Sequence, residues 1–252
     1  MKLKLLAGFL IINFSAYTQS IQSGVYSIPP STSTTGESKG VGLLYGSGQI
    51  LDKQSVAYHS IKAGKRIKFI AGDNEEDLII IKSGQANATL FGEEKILEAG
   101  SLIFVLPKDK VIIKNNGVNP LDYYILTATS KKALTKEKGT DIGKSCMFAW
   151  NDFVFKPHDK GGVRQVFNRT TAMLTKFDIH ITTLNVGMKS HDPHTHKNEE
   201  IILLLAGNAQ MQIDQAHPKA NEGDIVWLGS MVSHNLTNIG SIPCLYYAIQ
   251  WN

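Results

Sequence analysis

The stretch Gly187–Gly207, GMKSHDPHTHKNEEIILLLAG, reads against Gly64–Gly84, GKRIKFIAGDNEEDLIIIKSG, at an offset of 123 residues. The same offset pairs Gly100 with Gly223, Asn115 with Asn238, Gly117 with Gly240, Pro120 with Pro243, and Tyr123-Tyr124 with Tyr246-Tyr247. So many coincidences at one offset mark two copies of one structural unit. Within each copy, short apolar runs alternate with Gly, Asn, Asp and Pro, the pattern of strands and turns. RIKFIA, DLIIIKS, SLIFVLP, KVIIKNN, DYYILTA, DIHITTL, IILLLAG and CLYYAIQW are such runs. No long amphipathic helix is visible, and only KKALTKEKG (131–139) offers a helical turn between the halves. The run IILLLA does not alternate between apolar and polar, so it is expected to be buried on both faces. The first copy is then expected to cover the second.

The second copy carries chemistry that the first lacks. His194 and His196 are one residue apart, and on a strand they would share a face. Glu200 opens the apolar run, and His234 follows in GDIVWLGSMVSHNLTN (223–238). Three imidazoles and a carboxylate suit one divalent transition metal: Mn, Fe, Zn or Ni. His191, just outside this spacing, reads as a solvated loop or mouth residue. In the first copy Ala71, Asp73, Asp77 and Val111 stand opposite His194, His196, Glu200 and His234, so that half is expected to hold no metal.

The spacing H-x-H, three residues, E, six residues, G, then G, ten residues, H, three residues, N resembles the two motifs of the cupin superfamily. Gly229-Ser230-Met231 departs from the P-x-G usual there, which affects a turn and not a ligand. The resemblance implies an all-β chain of two tandem jelly-roll barrels, a bicupin. The whole-chain arrangement is similar to ureidoglycine aminohydrolase-type bicupins, with a degenerate first barrel and His180 in the strand before the metal motif. It departs from them at the ligands: they read E-x-H-x-x-x-H, and carry a lysine where this chain has Gln250-Trp251. Pro193–His196, PHTH, looks like the motif of cupins acting on unsaturated uronates and keto sugars, and cupin dioxygenases share this ligand set.

Apolar residues make up 42% and charged residues 19% of the 252, an ordinary globular balance. Lys2 and Lys4 followed by LLAGFLIINF, with Ala16 and Thr18 at a cleavage spacing, read as a signal peptide. Removing those lysines from the 26 basic residues leaves a net +2 against 22 acidic ones. No basic tract argues for nucleic acid. The expected organisation is a signal peptide at 1–18, an arm at 19–49, a degenerate barrel at 50–140 and a metal-binding barrel at 141–252. The mature protein is expected to be secreted or periplasmic, without a membrane span, taking a small-molecule substrate; a homo-oligomer is compatible with this. Export permits a disulfide between Cys146 and Cys244, and two free thiols fit equally well.

Four ligands leave two positions open on an octahedral ion, as catalytic sites do. His180 is the candidate proton-transfer group, its alternative being a rim histidine bonded to backbone. Gln250 and Tyr246 share a face of the last strand and are candidates to bond a substrate. The reading is an exported enzyme using the metal as Lewis acid on a sugar acid or keto sugar. A non-catalytic sugar-binding or sensing module and an Fe(II)-dependent dioxygenase are the alternatives.

Overall fold

The structure, a computed structural model, describes residues 19–29, 40–130 and 142–252. The expected signal peptide at 1–18 and the expected helical turn at 131–139 lie outside the described residues. The regular structure of the described residues is all strand apart from one 3-10 turn at Trp150–Asp152. They form two tandem jelly-roll barrels. In the second, a seven-stranded sheet is centred on Glu199–Ala206, Cys244–Trp251 and Phe177–Leu184. It faces a three-stranded sheet of Lys219–Asn221, Asn208–Ile213 and His234–Asn238. In the first, a six-stranded sheet centred on Glu76–Ser83 and Leu121–Ser130 faces a four-stranded sheet.

The 123-residue offset holds residue by residue in the strand register. Leu126 pairs with Leu78 as Ile249 pairs with Ile201. Ile80 pairs with Leu102 as Leu203 pairs with Ile225. Val111 pairs with Leu90 as His234 pairs with Ile213.

The non-alternating runs are explained by what lies on each face. Side chains alternate along a strand. Ile79 and Ile81 point into the first barrel, while Leu78 and Ile80 join an apolar cluster between the barrels. Likewise Ile202 and Leu204 point into the second barrel, and Ile201 and Leu203 into that shared cluster. Each central strand is therefore buried on both sides.

Polar contacts across this interface come in matched pairs. Tyr124 donates its hydroxyl to the Gly223 carbonyl (3.0 Å), and Tyr247 donates to the Gly100 carbonyl (2.6 Å). Glu76 accepts from Thr171 Oγ1 (2.7 Å) and Met173 N (3.0 Å). Its counterpart Glu199 accepts from Gln49 N and from Trp251 Nε1 (3.0 Å). Two strands also cross between the halves expected from the sequence. Gly24–Tyr26 pairs with Ile225–Leu228 of the second barrel, and Cys146–Phe148 pairs with Leu102–Val105 of the first. Cys146 and Cys244 are free thiols on different elements.

Burial raises the Glu76 carboxyl to about 7, against weaker opposing pulls from the bonds of Thr171 and Met173. Asp77 beside it is raised to about 6, again mainly by burial. The folded chain therefore holds protons that the unfolded chain releases near pH 4.5, so stability falls as pH rises from there through about 7. The Glu76 share of that loss is ~3 kcal/mol. Glu76→Gln should flatten the decline in Tm between pH 5 and 8, with Asp77 leaving a residual slope. Parallel Tm-versus-pH curves for the two proteins would show that Glu76 does not titrate in the interface.

Candidate metal centre

The four expected ligands converge, but not by the route the spacing suggests. His194 and His196 do not project from one face of a strand. They lie in the segment between Phe177–Leu184 and Glu199–Ala206, where no extended strand forms. That segment is tied to the strand His234–Asn238 by backbone bonds. His194 N donates to the His234 carbonyl (3.3 Å), His234 N to the His194 carbonyl (3.0 Å), and Met231 N to the His196 carbonyl (2.8 Å). Glu200 sits on the central strand and is 5% exposed. The ring centres of His194, His196 and His234 lie 4.8–5.3 Å apart.

Second bonds on the rings decide which nitrogen faces the centre. His196 Nδ1 lies 2.9 Å from the Asn198 carbonyl and His234 Nδ1 2.9 Å from the Val232 carbonyl. A carbonyl can only accept, so both Nδ1 atoms carry hydrogen, the arrangement typical of metal-binding histidines. Their Nε2 atoms then approach Glu200 Oε2, at 3.3 Å from His196 and 3.4 Å from His234. His196 Nε2 is buried without a hydrogen-bond partner among the described residues. A nitrogen lone pair against a carboxylate oxygen is repulsive unless positive charge lies between them, supplied by a proton or a metal ion. The donor set therefore fits a divalent ion, and His196, Glu200 and His234 can hold one.

The electrostatics follow. Burial alone would raise the Glu200 carboxyl, but the His196 and His234 imidazoles outweigh it and bring it down to about 2. His196 is raised in turn, chiefly by Glu200. His194 is lowered by burial and by the surrounding imidazoles.

His194, Glu200 and His234 line a cavity of about 330 Å³, together with His158, His180, Tyr246 and Gln250. His180 is carried by Phe177–Leu184 and Gln250 by Cys244–Trp251, adjacent strands in register. Gln250 Oε1 accepts from Asn198 Nδ2 (3.3 Å), which ties it to the ligand loop. Burial raises the Tyr246 hydroxyl, against weaker bonds with Thr182 and Ser190. His191 was expected to be a solvated loop or mouth residue. It does lie in a loop on the cavity wall; its ring centre is also 4.2 Å from that of His194, and it forms a second donor group with His194 and His234. The motif spacing left it out, and the cluster H-D-P-H-T-H was the available signal of its nearness to His194.

At the matching positions of the first barrel, Ala71 and Val111 belong to the apolar interior. Asp73 is exposed beside Lys108 (3.8 Å), and Asp77 accepts from Thr127 Oγ1 (2.5 Å).

Residues 180–250 match the family model described as "Cupin domain". No curated protein sequence matches the chain. Among solved structures, AerE from Microcystis aeruginosa is 13% identical with a TM-score of 0.67, over 90% of this chain and 98% of its own. Protein Ylba from E. coli is 12% identical with a TM-score of 0.67, over 96% and 97%. Oxalate decarboxylase from Lactobacillus farciminis, in a formate complex, is 14% identical with a TM-score of 0.60, over 79% and 77%. At these identities the likeness is one of fold, and the fold is that of two-barrel cupins. No helix among the described residues is long and apolar enough to cross a membrane.

Metal analysis of the purified protein should give close to one transition ion per chain. His234→Ala should weaken metal affinity by roughly 100-fold or more and leave the far-ultraviolet circular dichroism unchanged. Wild-type affinity in that variant would remove His234 from the ligand set.

Proposed function

We propose that the chain is an exported, metal-dependent enzyme. Its ligands would be His194, His196, Glu200 and His234 in the second barrel, and its substrate a small oxygenated molecule of the sugar-acid or keto-sugar class. One observation carries the reading: the convergent donor set opens onto a cavity whose wall also bears His180 and Gln250, polar groups outside that set. A divalent ion held there supplies Lewis acidity to a carbonyl or carboxylate oxygen.

The chain's own residues do the rest. Leu184, Ile202 and Leu236 line the cavity and limit bulk water, which strengthens electrostatic contacts within it. Gln250 has its carboxamide oxygen anchored by Asn198, so its NH2 group is the donor it offers to a ligand oxygen. His180 takes or returns a proton on the bound substrate, the role suited to an imidazole near neutral pH. Tyr246, its proton held tightly by burial, serves as a neutral hydrogen-bonding group rather than a base. Oxalate decarboxylase, with a similar fold, acts on a small acid, which supports the substrate class. The likeness to ureidoglycine aminohydrolase-type bicupins lends only the two-barrel plan and the place of His180, because the ligand order differs. Export rests on Lys2, Lys4 and the apolar run behind them.

The test is a screen of sugar acids, keto sugars and small dicarboxylates against the metal-loaded protein. On the substrate found, His180→Ala should leave metal content unchanged and slow turnover by about 100-fold or more. Full turnover in that variant would refute the proton-transfer role. Tight binding of such acids without turnover would identify a binding module instead.

A further inference from the structure

We infer that His191 is a fifth protein ligand to the same ion, an inference that rests on reading the second barrel as a metal centre. Two donor groups exist among the described residues: His196, Glu200 and His234, and His191, His194 and His234. Within each, the ligand atoms lie within 4.8 Å of one another. The groups share His234, and that residue decides between one ion and two. His234 Nδ1 is occupied by the Val232 carbonyl, which leaves a single lone pair at Nε2. One lone pair serves one ion at a time. Two ions cannot then share His234, and the ring contacts of His191 with both His194 and His234 favour one centre over two alternatives.

His191 is prepared for that role in the same way as the other ligands. Its Nδ1 lies 3.0 Å from the Asp192 carbonyl, so the hydrogen sits there and the Nε2 lone pair is free for a metal. Its ring meets that of His194 edge-on at 4.2 Å and faces His234 at 6.0 Å. It also lines the same cavity as Glu200 and His234. Metal–nitrogen bonds of about 2.1 Å place opposite donors about 4.2 Å apart. Donors up to 4.8 Å apart within each group would therefore draw in by about half an ångström or more, the loop carrying His191 closing onto the ion.

The consequence concerns the substrate. Five protein donors leave one open position on a six-coordinate ion, and four leave two. Wild-type protein would then take one oxygen of a ligand on the metal, and its remaining polar groups would meet His180 and Gln250. Removing His191 would open a second position and favour chelating ligands.

The test uses the full chain loaded with Co(II), whose paramagnetism shifts the proton resonances of bound imidazoles. Wild type should bind one Co(II) per chain. It should show strongly shifted, solvent-exchangeable imidazole N–H signals, one of which disappears in His191→Ala. Co(II) affinity should fall roughly 10-fold to 100-fold in that variant, while its affinity for oxalate rises relative to that for formate. His191→Asn, which keeps a polar side chain in the loop, should behave alike. Unchanged N–H signals with Co(II) affinity within about twofold of wild type would overturn the assignment of His191 alone. Two Co(II) ions per chain would overturn the single-centre argument. Failure of the wild type to bind Co(II) at all would overturn the metal-centre reading together with this inference.

Discussion

The structure depends on the apolar face that the two barrels share. Leu78 and Ile80 from one central strand, and Ile201 and Leu203 from the other, are buried in a cluster that belongs to neither barrel alone. Burying side chains of this size contributes on the order of 2 kcal/mol each, so neither six- nor seven-stranded sheet would tolerate exposing that face. The polar contacts that accompany it are reciprocal, as in an isologous dimer. Tyr124 caps Gly223 as Tyr247 caps Gly100, and Glu76 grips the other barrel's loop as Glu199 does in return. The exchanged strands Gly24–Tyr26 and Cys146–Phe148 extend each sheet along the same pseudo-symmetric plan. A first barrel with apolar side chains at its ligand positions still has a structural reason to persist, since it forms one wall of this interface.

The same scaffold carries opposite electrostatics at matching positions. Asp77 and Glu200 occupy one site of the repeat, both on a central strand and both buried. Asp77 has Thr127 for a partner, and burial raises its carboxyl to about 6. Glu200 has two imidazoles, which bring it down to about 2. A buried carboxylate is held ionised by cationic or metal-bound partners and otherwise tends to keep its proton. Val111 and Ala71 thus do more than leave ligands out. With no imidazole beside it, the carboxyl at that position loses the partners that hold Glu200 far down, and burial raises it towards neutral pH.

Much of this was legible in the residues. The 123-residue repeat and the non-alternating runs IILLLA and LIII specified two barrels packed back to back, because only burial on both faces permits such runs. The glycines Gly100 and Gly223 take positive φ at their turns, +82° and +91°, which is why they recur at the offset. The candidate donors were legible as well, and the structure brings His196, Glu200 and His234 within ligand reach of one another. Strand exchange was not legible. GVY and CMF are three residues each, too short to carry a period, and only their partners across the interface make them strands. The nearness of His191 to His194 was hidden for a different reason: it lies outside the motif spacing, in a segment whose shape is set by tertiary bonds.

That segment shows how a loop can position ligands as firmly as a strand. Its residues do not hydrogen-bond among themselves in a regular ladder. They bond instead to the strand that carries His234, through the paired backbone bonds of His194 and His234 and through Ser190 N to the Leu236 carbonyl (2.8 Å). The side chain of Ser190 accepts from Leu236 N (3.2 Å), closing the contact from the other side. Three of the four rings are then oriented a second time by a carbonyl of their own neighbourhood: Asn198 for His196, Val232 for His234 and Asp192 for His191. Backbone carbonyls are good second partners because they accept without bringing a net charge. With hydrogen at Nδ1 the rings can offer Nε2 to an ion, and the only formal negative charge among the grouped donors is that of Glu200. With one carboxylate against a divalent ion, the centre keeps a net positive charge, the condition under which it attracts an oxygen-rich anionic ligand into the cavity beside it.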